Sequence, residues 1–204
     1  DSLAGRARLG NCSDDGRRLS RLVASPDVPA DDLPRILVIV PAWNAQECIA
    51  NTVREIRAKV PYADLLVVDD GSRDNTANEA VAAGAQVRRL PFNLGVGGAM
   101  RAGYRWAHTL GYEIAVQIDA DGQHDPSFPD DVIAPLADHD IVIGARFASA
   151  DDPYRVRGPR RWAMHVLAFT LSRLTGTRLT DVTSGFRACN RRAMVVFAQH
   201  YPAE

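Results

Sequence analysis

Residues 36–44 read ILVIVPAWN. Five apolar residues stand in a row with no polar alternation, as a strand covered on both faces requires, and such strands belong to parallel sheets. A polar, turn-prone segment follows at once. The pattern recurs along the chain. Residues 65–68 (LLVV) run into Asp69-Asp70-Gly71-Ser72, residues 113–118 into Asp119-Ala120-Asp121, and residues 141–143 (IVI) into Gly144-Ala145-Arg146. A strand over 85–90 leads to Asn93-Leu94-Gly95. Helical segments lie between. Ile49, Val53, Ile56 and Val60 mark residues 45–60 at helical spacing. Residues 75–83 are alanine-rich and end at Gly84, residues 97–110 end at Gly111, and residues 128–137 precede the fifth strand. An arginine-bearing amphipathic helix over about 159–175, a short strand over 186–189 and a helix from Arg191 complete the series. Strand–helix alternation predicts an α/β fold with a mostly parallel central sheet, flanking helices and right-handed crossovers.

The chain has 204 residues, enough for one domain with its own core. Hydrophobic content of 46% and charged content of 24% are those of an ordinary globular protein. Residues 1–34, rich in Asp, Arg, Ser, Gly and Pro without periodicity, read as a flexible N-terminal extension. No run of eighteen apolar residues occurs and the N-terminus lacks the apolar stretch of a signal peptide, so a cytoplasmic setting is expected. Cys12, Cys48 and Cys189 are too few and too scattered for a disulfide framework, which agrees with a reducing compartment. The net charge of −1 hides a gradient: residues 146–192 hold ten arginines against three acids, a net +7. Such a segment is either a solvated face or a site for an anionic partner.

In open α/β sheets ligands bind outside the carboxyl ends of the strands, and here each strand ends in polar residues. Asp119 and Asp121 are the sharpest of these. In an extended segment residues i and i+2 point the same way, so their carboxylates repel unless a cation sits between them. Hard oxygen ligands suit Mg2+ or Mn2+, with Gln123 and His124 near enough to add or orient a ligand. An ordinary acidic turn is the plainer reading, since Asp-Gly is common turn chemistry. Asp70 is read either as part of a cap for the helix after Ser72 or as a hydrogen-bond partner of a nucleobase or ribose. Trp43 either stacks on a base or fills the core. The run Asn93-Leu94-Gly95-Val96-Gly97-Gly98 opens a helix; it suits an anion, or close helix–sheet packing. It is not GxGxxG, because position 100 is Met, and no GKS or GKT is present, so neither a dinucleotide fingerprint nor a P-loop is indicated.

LVIVPAWNAQECI, LLVVDDGSRDNT, RLPFNLGVGGAMRAGY, QIDADGQHDP, IVIGAR and DVTSGFRA stand in the order typical of family 2 glycosyltransferases. Over about residues 35–199 the chain resembles that family, and DADGQH with TSGFRA is most similar to its polyprenyl- and dolichyl-phosphate sugar synthase branch. The resemblance implies a GT-A fold: a single Rossmann-like domain over 35–204, whose C-terminal end is expected to be incomplete because such domains usually carry one more strand and helix. It implies a nucleotide-sugar donor, with Pro41, Ala42, Trp43 and Glu47 lining the nucleotide pocket and Asp70 on the base. Trp43 stands where tyrosine is usual. Asp119, Ala120, Asp121 and Gln123 would hold the donor diphosphate and its cation, Mg2+ or Mn2+. Arg146, Arg160, Arg161 and Ser184 would meet a polyprenyl-phosphate lipid acceptor, with peripheral contact on the inner face of a membrane and no nucleic acid partner.

The implied reaction is a single inverting displacement at the anomeric carbon. A lipid monophosphate acceptor is already ionised near neutral pH and needs no general base, so arginines would position it. A hydroxyl acceptor needs a base, for which Asp181 is the candidate; Asp181 equally fits a turn cap. Two readings from other classes remain. A sugar-phosphate nucleotidyltransferase needs a glycine-rich loop with basic residues after the first strand, and PAWNAQE has neither. A nucleotide-sugar-binding protein without turnover would not need the acidic pair.

Overall fold

The computed structural model describes residues 34–120, 132–144 and 186–202. In chain order these form β1 (Ile36–Ala42), α1 (Ile49–Lys59), β2 (Asp64–Asp69), α2 (Thr76–Ala82), β3 (Gln86–Arg89), α3 (Gly95–Thr109) and β4 (Ile114–Gln117). A 3₁₀ turn (Ala134–Ala137), β5 (Ile141–Ile143), β6 (Arg187–Asn190) and α4 (Arg191–His200) follow. The strands join in one sheet of order β3-β2-β1-β4-β6-β5. β1 pairs in parallel with β2 and β4, and β2 with β3. β6 lies antiparallel between β4 and β5, so β5 points the same way as the other four. The expected mostly parallel α/β sheet is present, with one reversed strand.

Period-2 alternation divides the apolar runs between two layers. Ile36, Val38 and Val40 face α1 through Ile49, Val53 and Ile56, together with Ile133 and Leu136. Leu37 and Ile39 face the opposite layer, where α3 contributes Met100 and Tyr104 and α4 contributes Met194. With helices on both sides, every residue of the ILVIV run is buried, which is why no polar residue interrupts it. α3 approaches β1 closely at Gly103, where a Cβ would lie 2.6 Å from Ile39 Cγ2.

Several boundaries differ from the sequence expectations. α1 starts at Ile49 rather than residue 45. The amides of Asn44, Ala45 and Gln46 are spent on side chains of the β2–α2 turn instead of entering the helix. The expected helix over 128–137 ends as a 3₁₀ turn carrying Pro135. The last strand begins at Arg187 and runs into α4 without a loop, because the Asn190 side chain accepts from the Arg192 and Ala193 amides and caps the helix directly. The helix expected over 159–175, and the extension expected over 1–34 up to residue 33, lie outside the described residues. Among the described residues no helix is long and apolar enough to cross a membrane.

Candidate functional site

Parallel pairing brings the carboxyl ends of β1, β2, β3 and β4 to one edge of the sheet, and β5, running the same way across the reversed β6, ends there too. The register places Ala42 beside Asp69, and the Asp70 amide donates to the Ala42 carbonyl at 2.8 Å. Beyond this point two loops are stitched together reciprocally. The Asn44 amide donates to Ser72 Oγ at 2.9 Å, while the Arg73 amide donates to Asn44 Oδ1 at 3.0 Å. The Gln46 amide donates to Asp74 Oδ2 at 3.2 Å, while the Asn75 amide donates to Gln46 Oε1 at 3.1 Å. The Ala45 amide reaches Thr76 Oγ1 at 2.8 Å. Asn44 adopts φ +49, a left-handed conformation that asparagine tolerates and that turns the chain back onto the second loop. Slight burial pushes the Asp74 carboxyl up, but hydrogen bonds from the Thr76 hydroxyl and from the Thr76 and Gln46 amides outweigh it and hold it below its usual range.

The two acids after β2 do different things. Asp69 is fully buried. Its Oδ1 accepts the Ser72 amide at 3.0 Å, and Arg89 Nε stands 3.3 Å from Oδ2, an ion pair not aligned as a hydrogen bond. Arg89 also donates to the Ser72 carbonyl at 2.8 Å, so Asp69 and Arg89 lock the turn from below. Asp70 is 3% exposed, and its Oδ1 accepts the Leu94 amide at 2.7 Å. Neither acid caps the helix after Ser72; the Thr76 amide there is taken by Asp74 Oδ1 at 3.0 Å. Asp70 instead holds the loop that opens α3.

That loop supplies the third wall. The Gly95 amide donates to Asn93 Oδ1 at 3.0 Å, so the first amides of the glycine-rich helix start are already engaged by side chains. Gly97 and Gly98 are buried, and a Cβ on Gly98 would lie 2.4 Å from Leu94 Cβ. Packing therefore accounts for these glycines better than anion binding. Trp43 is 58% exposed at the end of β1, which excludes the core-filling reading and leaves its ring available to a ligand. Glu47 is exposed on the same loop, Pro41 is half-buried and Ala42 buried.

Asp119 and Ala120 form the fourth wall. The Ile118 amide donates to the Ile39 carbonyl at 3.1 Å, prolonging the β1–β4 ladder, and Asp119 follows at the edge. Asp119 Oδ1 lies 3.5 Å from Gln117 Nε2, whose amide oxygen lies 3.5 Å from the Tyr201 hydroxyl. The Ala120 carbonyl accepts from Thr52 Oγ1 at 3.0 Å. Among the described residues no three His, Cys, Asp or Glu side chains gather. The Asp119 carboxylate, half-buried at the strand end, is a hard oxygen donor of the type that Mg2+ or Mn2+ takes, so the chemistry of the described part fits such a cation. Gly144, at the end of β5, donates to the Phe186 carbonyl at 3.0 Å, so the chain enters β6 at this same edge.

Asp121, Gln123, Arg146, Arg160, Arg161, Asp181 and Ser184 lie outside the described residues. Of the remaining candidates, Pro41, Ala42, Trp43, Glu47, Asp70, Asp119 and Ala120 all fall on the one edge. The sequence reading missed Thr52, Gln117 and Arg89. The available signal for Thr52 was a hydroxyl on the apolar stripe Ile49, Val53, Ile56.

Comparison with known proteins adds to this geometry. The family profile described as glycosyl transferase family 2 matches residues 37–196. The chain is 33% identical over 159 residues to an undecaprenyl-phosphate mannosyltransferase of Micrococcus luteus, covering 76% of this chain and 65% of that protein. It is 34% identical over 168 residues to a polyprenol monophosphomannose synthase of Mycolicibacterium smegmatis, covering 78% and 63%. The chain thus spans just under two thirds of the length of these relatives. Among solved structures, glucosyl-3-phosphoglycerate synthase from Mycobacterium tuberculosis, in complex with Mn2+, UDP-glucose and phosphoglyceric acid, superposes with a TM-score of 0.62 at 27% identity. That match covers 80% of this chain and 59% of the other.

Proposed function

The chain belongs to glycosyl transferase family 2, and from that premise we propose that it transfers a hexose from a GDP- or UDP-sugar donor to a polyprenyl phosphate, with inversion at the anomeric carbon and dependence on Mg2+ or Mn2+. The observation that carries the reading is the meeting of four loops at the carboxyl edge, with Asp119 ending the strand beside β1. The two relatives named as polyprenyl-phosphate mannosyl transferases support the acceptor class.

In this reading Pro41, Ala42, Trp43 and Glu47 border the nucleotide, and Trp43 offers an exposed ring for stacking on its base. Asp70 directs Oδ2 to the base or ribose while Oδ1 keeps the Leu94 amide. Asp119, Ala120, Asp121 and Gln123 lie along the donor diphosphate. A cation bound there would offset the negative charge that develops on the departing nucleoside diphosphate. Arg146, Arg160, Arg161 and Ser184 orient the acceptor phosphate, whose oxygen is already anionic. The basic segment also favours peripheral contact with an anionic membrane face, at about 1 kcal/mol per basic residue near the surface.

The test is transfer of labelled hexose from GDP- and UDP-sugars to undecaprenyl phosphate in detergent, with Mn2+ or with EDTA. A lipid-linked product formed with Mn2+ and abolished by EDTA is expected. A second reading, a soluble hydroxyl acceptor with Asp181 as base, draws support from the solved relative with phosphoglyceric acid bound. Transfer to phosphoglyceric acid with none to the lipid would establish that reading instead.

Asp70 separates two roles. Asp70→Asn retains an acceptor for the Leu94 amide but replaces the carboxylate, whereas Asp70→Ala removes both. Each variant is expected to lose ~1–3 kcal/mol of nucleoside diphosphate affinity by calorimetry, and only Asp70→Ala to melt earlier. Wild-type affinity in Asp70→Asn would reduce Asp70 to a loop clamp.

A further inference from the structure

The loop between β3 and α3 reads Pro91-Phe92-Asn93-Leu94-Gly95-Val96. Water faces such a tip, so polar residues are expected there. Instead Phe92 is 62% exposed, Val96 43% and Leu94 37%. The loop is not free to fold them inwards. The Leu90 amide is bound to the Asp69 carbonyl at 2.8 Å, the Leu94 amide to Asp70 Oδ1 at 2.7 Å and the Gly95 amide to Asn93 Oδ1 at 3.0 Å. Three apolar side chains within five residues are thus held out in solvent. Single apolar residues on a surface need no explanation; a group of them does.

Place and charge say what the group faces. β3 ends and α3 begins at the carboxyl edge, the edge that also carries Trp43 and Asp119. Between Glu79 and Glu113 the chain holds four arginines and no acid, and neither α3 nor α4 carries an acid. Arg89 is taken up by Asp69. The other three gather on α3. The Arg88 guanidinium lies over the Trp106 ring, 3.6 Å from its centroid. Arg101 and Arg105 follow Leu94 and Gly98 at helical spacing, along the side of α3 on which those two residues meet. An apolar tip backed by cations matches the layering of an anionic bilayer, in which a negative headgroup layer covers hydrocarbon.

We propose that residues 91–96 are a membrane-contact tip. Phe92, Leu94 and Val96 enter the headgroup boundary of an anionic bilayer, Arg88, Arg101 and Arg105 are drawn towards its phosphate layer, and the carboxyl edge is thereby turned to the membrane. The inference rests on the reading of the acceptor as a membrane lipid, and it assigns this contact to a surface separate from the basic segment over 146–192.

The experiment is cosedimentation of the full chain with phosphatidylglycerol and with phosphatidylcholine vesicles, at low and high salt, run beside hexose transfer to undecaprenyl phosphate in detergent. Wild type is expected to prefer the anionic vesicles. Phe92→Ser is expected to partition onto them roughly tenfold more weakly, the effect of withdrawing one large apolar side chain from lipid, with nucleoside diphosphate affinity as in wild type. Joint replacement Arg101→Gln and Arg105→Gln should weaken binding several-fold at low salt, and the difference should close at high salt. Phe92→Trp gives a direct reading: brominated lipid should quench its emission beyond the quenching of wild type. Equal partition of wild type and Phe92→Ser, without added quenching in Phe92→Trp, overturns the inference and leaves the acceptor reading to the transfer assay. Absence of vesicle binding by wild type overturns it too; transfer in detergent by the same sample shows whether the lipid acceptor falls with it. A wild-type dimer that Phe92→Ser splits, with vesicle binding unchanged, would assign the tip to a second copy of the chain instead.

Discussion

Asp119→Ala and Asp121→Ala each remove Mn2+-dependent binding of the nucleoside diphosphate, with Mn2+ affinity falling by at least ~100-fold, above what the loss of a supporting group costs. The melting temperature without metal stays within about 2 °C of wild type, the range of substitutions away from the core. Asp119 stands at the end of β4, half-buried, beyond the last ladder bond of the strand. Its loss removes a carboxylate and no core volume. It also removes one member of a like-charged pair, which offsets the loss of the 3.5 Å contact with Gln117 Nε2. A structural acid would behave oppositely: Asp69, fully buried between the Ser72 amide and Arg89, should lower stability when truncated. Calorimetry and melting curves on the same samples decide the matter. A lowered melting temperature with unchanged Mn2+ affinity would make the DAD stretch an acidic turn.

What the sequence discloses depends on whether the deciding interaction is local. The run over residues 36–40 is unbroken because both sheet faces are covered, and that requirement acts on every residue, so the strand and the parallel class were legible. The direction of β6 was not. Four residues of mixed burial carry the same pattern in either sense, and pairing with β4 and β5 decides it. The start of α1 was misplaced for a similar reason: the amides before it are bound by Ser72, Thr76 and Asp74, about thirty residues away. Asp70 shows the limit most clearly. The sequence offered a cap for the next helix or a contact to the nucleotide, while its observed partner is the amide opening the helix after that. Thr52 was legible only as a polar residue on an apolar stripe; its acceptor lies 68 positions on.

Gly71→Ala should destabilise the protein by about 3 kcal/mol, combining a strained left-handed conformation with overpacking. At about 2–4 °C per kcal/mol for a chain of this size, the melting temperature should fall by roughly 6–12 °C. Gly71 has φ +68, and a Cβ there would lie 2.6 Å from the Phe92 carbonyl carbon and 2.8 Å from the Asn93 nitrogen. Both are backbone atoms, so no side chain can swing aside. Gly95→Ala is the matched control: its φ is +77, but nothing lies within 4 Å of the added carbon. It should cost only the conformational part, about 1 kcal/mol. The difference between the two measures how tightly the second and third loops are pressed together. The same contact predicts a functional effect. Asp70 Oδ1 reaches the Leu94 amide only while the loop through Phe92 and Asn93 rests against Gly71. Pushing that loop away frees Asp70 from its clamp, so Gly71→Ala should also weaken nucleoside diphosphate binding, measured below its lowered melting temperature, and Gly95→Ala should not. If Gly71→Ala melts no lower than Gly95→Ala, the loops are not in the close contact that places Asp70.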